Sequence, residues 1–200
     1  MPIALLALAI GTFGFGTTEF AAMGILPDVA EAFGVSIPLG GYIISGYAVG
    51  VVIGAPLLTA LGARVDRKRL LLALMGLYTA GNLAAALAPT FEVLVAARVL
   101  TALPHGTFFG VGSVVAASLV PATKRAQAIS LVIAGLTVAN IVGVPLTTLA
   151  AQQFGWRAAF WIVTAVGLIT LAAVARLVPA QPPRPGATLR AELGALARGQ

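Results

Sequence analysis

The chain has 200 residues, of which 60% are hydrophobic and 9% charged, with a net charge of +6. A soluble domain carries about 25% charged residues, so this chain lacks the polar side chains that would cover a water-exposed surface, and we assign it to a lipid bilayer. It has no cysteine for a disulfide or thiolate site, and its basic residues lie in short segments between apolar runs, a membrane-topology pattern that argues against nucleic-acid binding.

Six apolar runs are each long enough to cross a hydrocarbon core, which takes about 20 residues of α-helix. The first is a retained span rather than a signal peptide, because no basic residue precedes it and its apolar core is too long. Together the runs predict a six-helix transmembrane bundle over residues 1–178. The predicted spans cover residues 3–26, 39–61, 70–88, 91–119, 127–150 and 158–178.

Lysine and arginine residues predict the orientation of the spans, because they concentrate on the cytoplasmic side of membrane proteins. The segments after spans two and four are basic, as is the proline-rich stretch 179–200, whereas the opposite side has a single arginine beside three acids. We therefore predict cytoplasmic termini, with 179–200 as a cytoplasmic linker that begins the loop towards a second half. The basic residues concerned are Arg64, Arg67, Lys68, Arg69, Lys124, Arg125, Arg184, Arg190 and Arg198.

A short internal repeat relates span two to span five. The stretches VIGAPLLTAL and IVGVPLTTLA share Gly-x-Pro-Leu, so Gly54 and Pro56 match Gly143 and Pro145 at a common offset of 89. Each unit then contains three spans, an odd number, so the second unit is inverted in the membrane, as in many secondary transporters. We therefore predict an all-α integral membrane fold of six transmembrane helices built as a 3+3 inverted repeat.

Glycines recur every four residues along one face of span two, at Gly46, Gly50 and Gly54. Small residues at this spacing let helix backbones approach closely in lipid. The stripe is either a tight packing surface or a smooth face along which another helix slides, and the sequence leaves both open.

Two charged side chains, Glu19 and Arg98, are predicted to lie inside the membrane, each seven residues from the outer end of its span, or about 10 Å deep. A charge near the bilayer centre costs at least about 2.5–3.5 kcal/mol, so each needs a partner or a wet cavity. The two form either an ion pair that only fixes packing or a site in which Glu19 carries a proton or both bind substrate. Tight pairing with Arg98 would argue against proton transfer by Glu19.

Two further polar residues lie within predicted spans. His105, which follows Pro104, is a candidate titrating group or a hydrogen-bonded packing residue. Asn140 in span five either faces a cavity or bonds to a neighbouring helix. An intramembrane protease using Ser113 with His105 finds no support, because residues eight apart on one helix are separated by about 12 Å.

The segment LGARVDRKRLL, residues 61–71, resembles the loop between spans two and three of major facilitator superfamily transporters. The family pattern Gly-x-x-x-Asp-Arg-x-Gly-Arg-Lys is matched at Gly62, Asp66 and Arg67, with Lys68 and Arg69 beside them, although the later glycine is absent. The resemblance implies a conformational latch that holds against a helix of a second half. From its residues alone the segment is a cytoplasmic anchor, with Asp66 at a helix N-terminus.

Two more stretches are similar to the drug:proton antiporters of that family, in particular the chloramphenicol-resistance and sugar-efflux exporters. In LVAARVLTALPHG, Arg98 matches a membrane arginine that the family implicates in proton coupling. In AGLTVANIVGVPL, Gly135, Gly143 and Pro145 match the span-five antiporter pattern associated with exporters. TTEFAAMGILP in span one is also similar to the drug exporters, which implies that Glu19 lies in the substrate and proton cavity.

The resemblance implies the N-terminal half of a proton-coupled exporter of small hydrophobic molecules such as drugs, located in the inner (plasma) membrane. The chain is then not an enzyme, uses the proton gradient and no cofactor, and relies on Glu19, Arg98, His105 and Asn140 for coupling and cavity polarity. Its partners are the lipid bilayer, a small-molecule substrate, and a missing C-terminal six-helix half or a second half-size chain, but no nucleic acid. The alternative is a six-helix module that does not transport, or an inactive truncated fragment.

Overall fold

The structure is a computed structural model that describes residues 2–180, so the predicted linker 179–200 lies, apart from its first two residues, outside the described range. Every regular element in that range is a helix, and all six predicted spans are present. Their ends differ from the predicted ones by up to five residues. The spans are Ala4–Gly24, Ile37–Gly62, Arg67–Ala86, Phe91–Ser118, Ala122–Phe154 and Arg157–Leu177.

Proline breaks two of the spans into shorter helices. Pro104 cannot donate a backbone hydrogen bond, and span four divides there. Span five contains a π-helical turn, Ala139–Gly143, immediately before the helix that carries Pro145. The α-helices are α1 (Ala4–Gly24), α2 (Leu26–Phe33), α3 (Ile37–Gly40), α4 (Tyr42–Gly62), α5 (Arg67–Ala86), α6 (Phe91–Ala102), α7 (His105–Ser118), α8 (Arg125–Val138), α9 (Val144–Phe154) and α10 (Arg157–Leu177).

The start predicted for span three, residue 70, was three residues too late. Asp66 is the N-cap of α5, and its carboxylate accepts a hydrogen bond of 3.0 Å from the backbone N–H of Arg69. A capping aspartate satisfies one of the free N–H groups of the first turn. Arg67, Lys68 and Arg69 therefore lie on the first turn of the helix rather than in the loop.

The packing of the spans has the symmetry of the inverted repeat. Span one packs extensively on spans five and six, and span four packs in the same way on spans two and three. Spans three and six, which are equivalent in the repeat, also pack against each other. Exchanging one with four, two with five and three with six therefore reproduces the pattern, and the 3+3 inverted repeat is confirmed.

The glycines of the repeat lie at the two equivalent interfaces. A Cβ atom at Gly54 would collide with the backbone of Leu103 in span four. A Cβ atom at Gly143 would collide with the hydroxyl of Thr17 in span one. The stripe in span two is therefore a tight packing surface in this structure, and its counterpart in span five has the same role.

Two apolar clusters occupy opposite ends of the bundle. One includes Leu8, Leu71, Val115 and Val174, towards the end with the basic segments. The other lies at the opposite end, where Arg157 joins two spans: its Nη2 donates to the carbonyl of Ala88 over 2.9 Å, and its guanidinium lies 4.2 Å from the Trp156 ring centroid. This second cluster includes Ile25, Val29, Phe91, Trp156 and Phe160.

Candidate functional site

Arg98 of α6 is the largest fully buried side chain, with 0% exposure. Its Nε donates to the carbonyl of Ile43 in α4 over 3.0 Å, and Nη1 donates to the carbonyl of Thr18 in α1 over 2.9 Å. Its guanidinium carbon lies 4.3 Å from the centroid of the Tyr47 ring, a cation–π contact. Arg98 therefore links spans one, two and four, while its Nη2 has no hydrogen-bond partner among the described residues.

Glu19 lies near this arginine without forming an ion pair with it. The Glu19 carboxylate lies instead against His105, with Oε2 4.0 Å from Nε2, a contact that becomes an ion pair when His105 is protonated. The Glu19 side chain is 35% exposed and that of His105 is 13% exposed. The structure thus opposes the first alternative raised by the sequence, a tight Glu19–Arg98 pair that only fixes packing.

His105 is held by two aromatic rings and by a hydrogen bond to one of its ring nitrogens. The Phe109 ring stacks with it at 5.0 Å between centroids, and Phe15 packs at 5.1 Å. Its Nδ1 is hydrogen-bonded to the Tyr47 hydroxyl over 2.9 Å. His105 is therefore a well-packed residue that also presents its second ring nitrogen to Glu19.

A second tyrosine extends the polar region to span three. The Tyr78 hydroxyl and Thr18 Oγ1 lie 2.7 Å apart, and both side chains are buried. We refer to Glu19, Tyr47, Tyr78, Arg98 and His105 as the polar cluster. Both tyrosines were missed in the sequence, where the available signal was that a tyrosine hydroxyl inside a bilayer needs a partner.

Asn140 does not join the polar cluster. Its Nδ2 donates to the carbonyl of Leu136, one turn earlier in the same span, over 3.0 Å, and the residue is exposed. Of the two roles considered for it, a bond to a neighbouring helix is not observed. It lies on a face of span five that the six-helix unit leaves uncovered.

The basic segment after span two packs through its apolar residues. Gly62 is buried, and a Cβ atom there would collide with the Leu70 side chain. Beside it an apolar cleft of about 260 Å³ runs between spans two and three. Leu58, Leu61, Val65, Leu74 and Leu77 are among the residues that line this cleft.

The fold and the cluster define a six-span unit of a membrane transporter, and sequence comparison assigns its family. The profile of the Major Facilitator Superfamily matches residues 8–198, and the chain belongs to this superfamily. The family consists of transporters rather than enzymes, as the sequence predicted.

Relatives from several bacteria are similar over nearly the whole chain. The inner membrane transport protein YdhP of Escherichia coli (strain K12) is 46% identical over 196 residues, which cover 98% of this chain and 50% of YdhP. The chloramphenicol resistance protein of Streptomyces lividans is 38% identical, with 98% and 51% covered. The chain therefore spans about half the length of the curated relatives it matches.

Among solved structures, a peptide transporter POT has the same fold as this chain. It superposes with a TM-score of 0.78 at 16% identity, covering 100% of this chain and 44% of the transporter. At this identity the likeness shows the fold alone. It agrees with a half-transporter architecture.

Proposed function

We propose that this chain is the N-terminal six-span half of a proton-coupled exporter of small hydrophobic molecules, with Glu19 as the proton carrier. The observation that carries the proposal is the environment of Glu19. It is the one acidic residue of the described range that lies away from the ends of a span. Its carboxylate is partly exposed and faces His105, not Arg98.

This geometry suits a group that gains and loses a proton. A carboxylate bonded directly to a guanidinium would be held in its charged form. Arg98 instead donates hydrogen bonds to two backbone carbonyls, those of Ile43 and Thr18. The exposed part of Glu19 leaves a route for protons from a water-filled cavity. Arg98 contributes a fixed positive charge nearby, which assists release of the proton.

We further propose that a second six-span unit covers spans two and five. These two spans are each only 22% buried within the unit, a smaller share than any other span has. Their exposed faces carry large apolar side chains, including Val52, Leu57, Ile141 and Leu146, which must meet lipid or protein. We call the six-span chain together with this second unit the complete transporter, with both termini of the chain on the cytoplasmic side of the inner membrane.

Replacing Glu19 with glutamine in the complete transporter should abolish proton-driven transport, because the amide keeps the shape of the carboxyl group but carries no exchangeable charge. The measurement is uptake of radiolabelled chloramphenicol, the compound named by one relative, into everted membrane vesicles energised by respiration. Uptake by the parent protein should collapse on addition of a protonophore.

Glu92→Gln is the matched control, because Glu92 is exposed at the outer end of span four and its variant should transport normally. Protonophore-sensitive uptake that persists in Glu19→Gln would contradict the assignment of Glu19. Absence of uptake in every variant, with this and other hydrophobic probes, would favour the alternative of a module that does not transport.

Replacing Asp66 separates its capping role from the proposed latch. Asparagine caps helices as well as aspartate does, whereas alanine costs about 1 kcal/mol. Asp66→Asn should therefore keep the thermal stability of the parent in detergent, and Asp66→Ala should lower it. If the segment is a latch that needs the charge, both variants should lose transport. Normal transport by Asp66→Asn would leave Asp66 as a helix cap only.

A further inference from the structure

Three side chains of the polar cluster, Tyr47, His105 and Glu19, lie in series, each next to the following one. The Tyr47 hydroxyl is 2.9 Å from His105 Nδ1, and His105 Nε2 is 4.0 Å from Glu19 Oε2. Tyr47 is only 2% exposed, and its ring is fixed beneath the Arg98 guanidinium. The hydroxyl is therefore held in place against one nitrogen of an imidazole whose other nitrogen faces the carboxylate.

The positions of the hydrogen atoms on these three groups couple the Tyr47 hydroxyl to the Glu19 carboxylate. A neutral imidazole has one N–H donor and one acceptor nitrogen, and a tyrosine hydroxyl can act as either. When Glu19 is ionised it can only accept, so the favourable tautomer of His105 carries its hydrogen on Nε2. Nδ1 is then an acceptor, and Tyr47 donates to it.

One added proton reverses this arrangement wherever it resides in the pair. The 4.0 Å between Oε2 and Nε2 is too long for a direct hydrogen bond. If Glu19 is protonated and donates towards Nε2, through a bridging water or after a small approach of the two side chains, the imidazole hydrogen must be on Nδ1. If His105 takes the proton, both ring nitrogens carry hydrogen. In either case Nδ1–H donates and the Tyr47 hydroxyl accepts.

We propose that Tyr47 is a positioning residue that makes Glu19 and His105 hold one proton as a unit, because its hydroxyl switches from donor to acceptor when the pair is protonated. This inference rests on the proposed function and names a further residue of the same site. Tyr47 does not itself bind substrate in this scheme. It acts through His105.

The other ionisable neighbours do not replace any member of this unit. Besides Glu19 on α1, the ionisable groups of the polar cluster are Tyr47 on α4, which contacts His105, Tyr78 on α5, and Arg98 on α6, which lies over the Tyr47 ring. Tyr78 is hydrogen-bonded to Thr18, and no second carboxylate is paired with His105 in the described range. A proton from the cavity thus forms one new O–H or N–H bond within the Glu19–His105 pair, and release to the opposite side breaks one.

Nitrogen NMR of His105 tests the switch directly, because His105 is the one histidine in the 200 residues. The complete transporter would be labelled with ¹⁵N-histidine, and the His105 signals would be assigned by their loss in His105→Gln. We expect an Nε2–H tautomer at high pH and a protonated Nδ1 at low pH. In Glu19→Gln the amide can donate to or accept from Nε2, so the tautomer preference at high pH should weaken. An Nδ1–H tautomer at high pH, or identical spectra in Glu19→Gln, would overturn the proposal.

Tyr47→Phe tests the positioning role in the same protein. Phenylalanine keeps the ring under Arg98 and removes only the hydroxyl, so the protonated pair loses its acceptor. A hydrogen bond to a charged group is worth about 1 kcal/mol more than a neutral one, so the pH midpoints of the His105 signals and of uptake should fall by about 0.7 unit. Tyr42→Phe, at an exposed position of the same span, should change neither midpoint.

The outcomes separate this inference from the proposed function. Equal midpoints in Tyr47→Phe and the parent would refute the role of Tyr47, even if uptake stayed proton-driven. If uptake were unchanged by the protonophore while the His105 signals shifted as expected, the proposal of proton-coupled transport would be wrong. The proposal that Glu19 and His105 share one proton would still hold.

Discussion

Replacing Arg98 with methionine should abolish proton-driven transport while leaving the protein as stable as the parent or more stable. A buried cation without a carboxylate partner bears an uncompensated desolvation cost, and apolar replacement of buried ionic groups is often neutral or stabilising by about 1–4 kcal/mol. The carbonyls of Ile43 and Thr18 lie inside helices, where the N–H four residues later is their usual donor. The measurements are unfolding in mixed micelles and vesicle uptake.

Arg98→Lys is the companion variant, because it keeps the charge and removes the forked geometry that reaches two carbonyls. We expect it to fold and to retain at most weak transport. A loss of several kcal/mol in Arg98→Met, with misfolding of the variant, would show instead that Arg98 is mainly a structural link between spans one, two and four.

Adding a methyl group at Gly54 should destabilise the bundle. The loss of stability at each glycine of the repeat should depend on whether the added methyl group contacts backbone or side-chain atoms. At Gly54 it meets the Leu103 backbone, which cannot move aside, and overpacking of this kind costs about 1–3 kcal/mol. At Gly143 it meets the Thr17 and Phe13 side chains, which can partly rearrange. Unfolding of Gly54→Ala and Gly143→Ala in mixed micelles should therefore give the larger loss for Gly54→Ala.

Gly76→Ala is the control for helix propensity, because a methyl group there would meet no atom of another span within 4 Å. Alanine is favoured over glycine inside a helix by about 1 kcal/mol, so this variant should be neutral or slightly stabilised. Equal effects at all three positions would mean that close approach of the backbones is not what the repeated glycines provide. Normal stability but lost transport in Gly54→Ala would favour the sliding face.

The sequence predicted where candidate residues lie along each span better than which way they face. Glu19 and Arg98 were placed at similar depth, and the structure puts them in one cluster. The partner of Glu19 is nevertheless His105, and Asn140 lies away on an uncovered face. Nearly every side of these spans is apolar, so hydropathy carries little information about the rotation of a helix about its own axis.

By itself the sequence determined the number of spans, their order and the inverted repeat, because bilayer thickness demands about 20 apolar residues per crossing and an odd number of spans reverses direction. It also marked the residues whose burial is costly. Only the tertiary structure decided that Arg98 bonds to carbonyls and that Tyr47 meets His105. Those contacts depend on how closely glycine-rich interfaces bring the helices together and on the break at Pro104, which are properties of packing between spans rather than of any one span.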